Sequence, residues 1–392
     1  MKVLHVITGL AAGGAERYLR SLIAHSSADA DVLALAALGV VAEELRAHGI
    51  RVDSIGMSGN RDVRALARIR RHIRDGNYDV VHTHLFRAQL YGSLAARAAK
   101  VPVVISTEHS LKEADFEGRS ADNPLFRLIY QLAARQHDRM LAVSEDVANC
   151  LRRRVGGSVD IGVVPLGLDV ASYAFDPVAR ERTRTELGIR PDQFVVGLVG
   201  RLIELKRFEV VVEALADLPE RVVGLVVGAG PQQDALSQLA IRLGVEHRVR
   251  FVGEVADVSP MLSCMDLLAS PCREETYGLA LLEGLAAGLP VLYSSCPALD
   301  DVRRVEAARM EDERREVALD STPSEFGAAI RRVLDTDPLP RQTPQIMRRL
   351  GIAAAASMVD DNYEELLDAA GRRHGQRTRG GPVLSALGRR SH

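Results

Sequence analysis

Two carboxylates and two cations occupy positions in this 392-residue chain where side chains of those types can do chemistry. The stretch PCREETYGLALLEGLAAGLPVL (271–292) ends a strand, crosses a polar turn, and begins an apolar helix near Tyr277 that stops at Gly288-Leu289-Pro290. Glu283 falls inside that helix, where a buried carboxylate is costly unless a donor meets it, so a ligand hydroxyl fits as its partner. Glu275 lies earlier, in the turn, and the helix start between them leaves the N–H groups of Gly278, Leu279 and Ala280 open to a phosphate. The alternative is a capped, partly exposed helix with no ligand. In VVGLVGRLIELKRFEVV (195–211) a buried strand ends in Gly200 and delivers Arg201, with Lys206 at the next helix start. Fixed cations there stabilise a diphosphate as it departs, a task otherwise given to a metal ion. The competing reading is two solvated charges matched by Glu204 and Glu209.

These groups need elements to hold them. Runs rich in valine, isoleucine and leucine recur at 2–8, 79–85, 103–109, 138–144 and 161–165, and the segments Ala15–Ala24 and Ala88–Ala99 between them carry helical spacing. That alternation predicts a doubly wound α/β domain with a parallel sheet. The rhythm lapses into turn formers, two prolines and dense charge at 166–192, where a joint belongs, and restarts at 194–200, 221–228, 248–253, 266–271 and 290–295. The expected division is an N-terminal domain over 1–168 and a second over 169–345. A C-terminal helix over about 346–371 should pack back on the first domain, before a basic, flexible tail at 372–392. Ligands of such folds sit outside the carboxyl ends of the strands, here in a shared cleft.

The order and spacing of GRLIELKRF, VVGAGP (227–231), RVRFVGEV (248–255) and the Glu275/Glu283 pair resemble the retaining family 4 glycosyltransferases of GT-B fold. GLAAGGAE (9–16), DVVHTHLF (79–86), TEH (107–109), LAVSEDV (141–147) and VVPLGLD (163–169) extend the match along the chain. The resemblance implies two Rossmann-like domains facing a central cleft, the first taking the acceptor and the second a nucleotide sugar, with uridine favoured over guanosine and UDP-GlcNAc or UDP-glucose as examples. It implies that Arg201 and Lys206 hold the donor diphosphate, Glu275 the transferred sugar and Glu283 the ribose, with His109 beside the reacting centre. Gly13 and Gly14 would close over the donor, and Gly200, Gly253, Thr276, Tyr277, Gly278, Leu279 and Ala280 would complete its pocket. No metal and no cofactor are expected. Thr276 and Tyr277 stand where the family usually has Gly and Phe, and YSSCPALDDV (293–302) replaces a glycine-rich turn and an acid. The reaction implied is transfer to a hydroxyl acceptor in glycolipid, cell-surface polysaccharide or natural-product synthesis. Alternatives are a sugar-nucleotide epimerase, a phosphorylase, for which Lys206 is the lone lysine beyond Lys112, or a silent sugar-nucleotide-binding protein.

Composition narrows partners. A net charge of −2 argues against nucleic acid, and 47% hydrophobic residues supply a large core. Cys150, Cys264, Cys272 and Cys296 lack zinc spacing and read as reduced core thiols. The opening MKVLHVITGL reads as a first strand and not a leader, and no run is long enough to span a bilayer, which together point to the cytoplasm. The arginine-rich, amphipathic residues 62–74, with Leu66, Ile69 and Ile73 on one face, and the basic tail suggest contact with an anionic membrane; a helix packed on the sheet is the alternative. VVGAGP lacks the third glycine of a dinucleotide fingerprint, and Asp29-Ala30-Asp31 reads as a turn rather than a metal-diphosphate site. His82 and His84 share one face of a strand and could pair on a metal, but no third ligand is evident; His109 alone reads as a core histidine and gains a site only through the resemblance.

Overall fold

The computed structural model describes residues 1–11, 13–59, 62–109, 124–157, 159–300, 316–318, 320–336 and 340–379. Residues 110–123 thus lie outside the described residues, as does the basic tail from 380 onward. Two parallel sheets organise the chain. The first contains β1 (Lys2–Ile7), β2 (Asp29–Ala34), β3 (Val52–Ser54), β4 (Val80–His84), β5 (Val103–Glu108), β6 (Arg139–Ala142) and β7 (Ile161–Val163), in the order β3-β2-β1-β4-β5-β6-β7. The second contains β8 (Phe194–Val199), β9 (Val222–Val227), β10 (Val249–Gly253), β11 (Leu267–Ser270), β12 (Val291–Tyr293) and β13 (Glu316–Ala318), in the order β10-β9-β8-β11-β12-β13. Strand order reverses between β1 and β4 in one sheet and between β8 and β11 in the other. In a doubly wound sheet these are the two places where a crevice opens at the strand ends.

The central strands are apolar throughout because helices cover both faces, and residues such as Val3, Val80, Val195 and Leu268 are fully or almost fully buried. In the first domain the covering helices are α1 (Gly14–His25), α2 (Val40–Ala47), α3 (Arg64–Gly76), α4 (Phe86–Ala99), α5 (Pro124–Ala134) and α6 (Glu145–Val155). In the second they are α7 (Pro177–Glu186), α8 (Glu209–Leu215), α9 (Gln233–Arg242), α10 (Ser259–Cys264), α11 (Leu279–Ala286) and a helix at Pro323–Leu334.

Several sequence readings are corrected. β3 and β13 were not foreseen, and Asp29-Ala30-Asp31 opens β2 instead of forming a turn before it; Asp31 accepts a hydrogen bond from the Tyr78 hydroxyl at 2.7 Å. The expected irregular joint at 166–192 contains α7, capped by Asp176, whose Arg180 and Arg184 grip Asp266 at 2.5 and 2.6 Å. In α3, Ala65, Ile69 and Ile73 are buried in the first domain's core and Leu66 packs against it, so residues 62–74 have no apolar face left for lipid. Cys264, Cys272 and Cys296 are buried, whereas Cys150 is only half-buried. Among the described residues no helix is long and apolar enough to cross a membrane.

The chain crosses between the sheets twice, and the two crossings run together. Leu168 and Gly351 form a parallel bridge, with Leu168 N–H donating to Leu350 O at 2.7 Å and Ile352 N–H to Leu168 O at 2.9 Å. A Cβ on Gly167 would stand 2.4 Å from Ile352 Cα, so only glycine allows this approach. The C-terminal helix then spans Ile352–Arg379, starting later and running further than the sequence suggested. It is fastened to the first domain. Asp360 accepts from Ser26 Oγ (2.6 Å), Ser27 N (2.7 Å) and Ser27 Oγ (2.8 Å), and Arg139 donates to Asn362 and Glu365 at 2.8 and 2.7 Å.

Candidate active site

Arg201, Lys206 and Glu275 lie beyond the carboxyl ends of β8 and β11, the switch point of the second sheet, and Glu283 lies on the helix that follows β11. Arg201 follows β8 directly and is exposed. Its charge reaches across to Glu16 of α1, whose pKa burial raises and Arg201 pulls back. Lys206 ends a 3-10 turn at Glu204–Lys206 and does not pair with Glu204 or Glu209. Its ammonium instead donates to Glu275 Oε2 at 2.5 Å, with the two side chains only 20% and 15% exposed. Glu275 Oε1 also accepts from the Thr276 N–H at 3.3 Å. The two groups expected to bind phosphate and sugar thus neutralise each other, and an entering diphosphate competes with a carboxylate for Lys206.

Glu283 sits on α11, which begins at Leu279 and not at Tyr277. Gly278 precedes that helix with φ +98°, and a Cβ on it would lie 2.5 Å from Cys296 Sγ. It offers no side-chain cap, so the first-turn N–H groups of Leu279 and Ala280 face the turn that holds Glu275 and Thr276. Burial pushes the pKa of Glu283 up to about 7, against the nearby Arg17 charge and a hydrogen bond from the Tyr173 hydroxyl at 3.2 Å. The Tyr277 ring is buried and its hydroxyl donates to Leu166 O at 2.5 Å, so it is the backbone of Tyr277 that remains beside Thr276 and Gly278 in the turn. Gly253 ends β10 with φ +82°. The glycines of VVGAGP serve packing, since a Cβ on Gly228 would meet Gly200 O and one on Gly230 would meet Leu202 O. They let that loop lie against the backbone that carries Arg201.

The first domain faces this array from its own switch point. Gly13 and Gly14 open α1 after β1, and Gly14 lies opposite Leu279 of α11, with room there for a Cβ at 3.5 Å. A Cβ on Gly13 would meet only the movable Glu16 carboxylate, so among the described residues nothing demands glycine at either position. Arg17 of α1 donates to Val255 O and Ala256 O at 3.0 and 2.9 Å, and Ser144, the N-cap of α6, donates to Thr276 O at 3.3 Å. These bonds span the cleft.

His109 follows β5, and its ring meets Tyr18 of α1 edge-on at 5.8 Å. Its Nε2 lies 3.3 Å from His84 Nδ1, its own Nδ1 is shielded with no partner among the described residues, and burial lowers its pKa to about 4. The third histidine missed in the sequence is His5: β1 pairs with β4 in register His5↔His82, and His5, His82 and His84 each bring a ring nitrogen within 4.8 Å of the others. His82 and His84 stack at 4.2 Å, and His82 is held at both nitrogens, by Tyr363 Oη at 2.6 Å and Thr107 Oγ1 at 2.7 Å. Both His82 nitrogens are thus engaged by protein hydroxyls. Arg17, Glu16 and Tyr173 were also missed; a lone histidine in the apolar run KVLHVIT was the one available signal. A cavity of about 520 Å³ opens away from these residues, at the domain crossover, lined by Leu168, Asp169, Pro344 and Met347 among others.

Two parallel α/β domains whose switch points share a cleft, with paired cations and carboxylates on one wall, define a GT-B architecture. Residues 12–172 match the profile described as Glycosyltransferase Family 4, and residues 193–336 that described as Glycosyl transferases group 1. The chain belongs to glycosyltransferase family 4. It is 34% identical over 239 residues to a D-inositol 3-phosphate glycosyltransferase of Mycobacterium marinum, covering 57% of this chain and 50% of that protein. A Nocardia farcinica protein of the same name is 34% identical over 247 residues, covering 58% and 54%. The chain spans about half the length of the curated relatives it matches. Among solved structures, Anabaena HepE in complex with UDP and glucose superposes with a TM-score of 0.72 at 20% identity, over 97% of this chain and 100% of that one. A Rickettsia africae glycosyltransferase gives 0.73 at 17%, over 93% and 98%. At these identities the likeness is one of fold.

Proposed function

We propose that this protein is a retaining, metal-independent glycosyltransferase that moves a sugar from a UDP-sugar to a hydroxyl acceptor. The observation that carries the reading is the Lys206–Glu275 pair at 2.5 Å, set between Arg201 and the uncapped start of α11. The donor diphosphate would draw Lys206 and Arg201 to its oxygens and lie at the α11 N-terminus, releasing Glu275 to accept hydrogen bonds from the sugar. Glu283, deep in the pocket, would take the ribose hydroxyls. As the bond from the anomeric carbon to phosphate oxygen breaks, the acceptor oxygen bonds to that carbon from the same face. The departing phosphate takes the acceptor's proton, so no carboxylate nucleophile is needed and configuration is retained. Arg17 and Ser144, which already bridge the cleft, would hold the domains closed and keep water out.

UDP is favoured because HepE, the same fold, was solved with UDP and glucose. The names of the curated relatives favour a phosphorylated cyclitol as acceptor, ahead of glycolipid, polysaccharide or natural-product hydroxyls. A cytoplasmic location goes with this reading, because nucleotide sugars are made there.

The test is calorimetric titration with UDP and with GDP in the presence of EDTA, on the wild type and on Arg201→Ala and Lys206→Ala. Metal-free binding of UDP that both variants lose is the expected result. Binding that needs a divalent ion overturns the metal-independent mechanism, and variants that bind as the wild type does overturn the cation assignments. UDP release from a panel of UDP-sugars, with inositol phosphates as acceptors, then identifies the pair of substrates.

A further inference from the structure

His5, His84 and His109 form one file of hydrogen-bonded rings. His5 Nδ1 lies 3.1 Å from His84 Nε2, and His84 Nδ1 lies 3.3 Å from His109 Nε2. The file starts under the middle of the first sheet, where His5 and His84 are 1% and 0% exposed, and ends at His109, whose Nδ1 is shielded and has no partner among the described residues. His82, stacked between them, is tied off by Tyr363 and Thr107 and takes no part in the file.

A neutral imidazole carries one N–H and one lone pair, and each N···N contact in the file needs one of each. Three rings joined this way have only two consistent arrangements. Either every N–H points from His5 toward His109, leaving an N–H on His109 Nδ1, or every N–H points inward, leaving a lone pair there. Protonating one ring moves the choice for all three. The surroundings bias that choice: His109 Nδ1 is shielded with no partner among the described residues, where a bare lone pair costs less than an unmet N–H, and the Asp360 carboxylate, held on the C-terminal helix by Ser26 and Ser27, acts on the buried His5 at the other end. A negative charge at the His5 end favours the arrangement whose N–H groups point toward it.

We propose that His5, His84 and Asp360 are positioning residues that fix His109 in its Nε2–H form, so that Nδ1 offers a lone pair to a substrate hydroxyl in the cleft. This rests on the glycosyltransferase reading for the identity of the hydroxyl, on the transferred sugar or the acceptor, but not for the tautomer. Nothing in the sequence alone joins residues 5, 84, 109 and 360; the strand pairing and the returning helix do.

The experiment is long-range ¹H–¹⁵N correlation NMR on the full chain labelled with ¹⁵N-histidine, with His109 assigned by its loss in His109→Asn. In the wild type His109 should show a protonated Nε2 and a bare Nδ1. In Asp360→Asn and in His84→Gln the Nδ1–H form should rise several-fold. A wild-type His109 protonated at Nδ1 overturns the proposal without recourse to any variant, and an unchanged tautomer in both variants overturns the part given to Asp360 and His84. Kinetics supply the second readout: His84→Gln should lower kcat about tenfold or more while UDP affinity stays at the wild-type value. Equal loss of UDP affinity would mark His84 as merely structural. Failure of the wild type to bind UDP at all would sink the donor-site reading and leave the tautomer result standing on its own.

Discussion

Glu283 is expected to make nucleotide affinity depend on pH in a range where an ordinary glutamate is silent. Its pKa lies at about 7 against 4.5 for a free glutamate, chiefly because burial strips water from the carboxylate. If only the ionised form accepts the ribose hydroxyls, about one chain in eleven is competent at pH 6 and about ten in eleven at pH 8. The apparent Kd for UDP should therefore tighten about tenfold between those values. The terminal phosphate of UDP titrates nearby, so the wild-type slope is read against Glu283→Gln, which keeps the ligand's titration and removes the protein's. The same shift governs stability, with a definite sign. Because the folded pKa is raised, the group's contribution is fully present below pH 4.5 and is lost as pH climbs through 7, a fall of about 3 kcal/mol. Glu283→Gln should thus match the wild type in urea unfolding at pH 4 and exceed it by up to about 3 kcal/mol at pH 8, while binding UDP less well. Isothermal titration at four pH values, paired with urea melts, checks both. Parallel pH slopes for the two proteins would refute the reasoning, since they would mean that Glu283 is ionised throughout or lies off the nucleotide.

Arg17→Ala removes the cation that restrains the Glu283 pKa, so the pH midpoint of UDP binding should move upward; it also deletes two hydrogen bonds across the cleft, which small-angle scattering should register as a larger radius of gyration. Lys206→Ala leaves the Glu275 carboxylate unpaired and should cost about 1–3 kcal/mol in urea unfolding, most of which the added change Glu275→Gln recovers without restoring turnover. Gly278→Ala forces a side chain into φ +98° against Cys296 and should lower stability by about 2 kcal/mol or more, read as an earlier melt in differential scanning fluorimetry.

The strand ends that carry the charged residues could be read from the sequence because each is a buried apolar run that breaks abruptly into polar residues. Arg201 after FVVGLVG stands out on hydropathy alone, whereas Glu275 is one of three successive charged residues, Arg273 to Glu275, and is singled out only by its spacing from Glu283. The short edge strands β3 and β13 and the start of β2 could not be read in the same way. β3 and β13 are three residues each, too short for a pattern to exceed chance, and β2 opens on Asp-Ala-Asp, which imitates a turn. α7 was hidden by its arginines, which look solvated in sequence but in the fold bond the carbonyls of residues 263–265 and pair with Asp266. The histidine file lay beyond reach for another reason. Its members come together only through strand register and through the helix that returns from the far end of the chain, and neither leaves a local trace. The Tyr277 hydroxyl bonds Leu166 O in the other domain, a contact that likewise leaves no local trace.

The return of helix Ile352–Arg379 to the first domain has a consequence for the order of events during synthesis. β1 to β7 leave the ribosome early, yet the groups that satisfy Ser26, Ser27, His82 and Arg139 are carried by residues 360–365, which emerge only after the whole second domain. Until then the first sheet waits with part of one face bare and several polar groups unmet. The domain that is translated first is therefore finished last, and cutting the chain at the joint near Leu168 would free a second half able to close on itself and a first half that lacks its final helix.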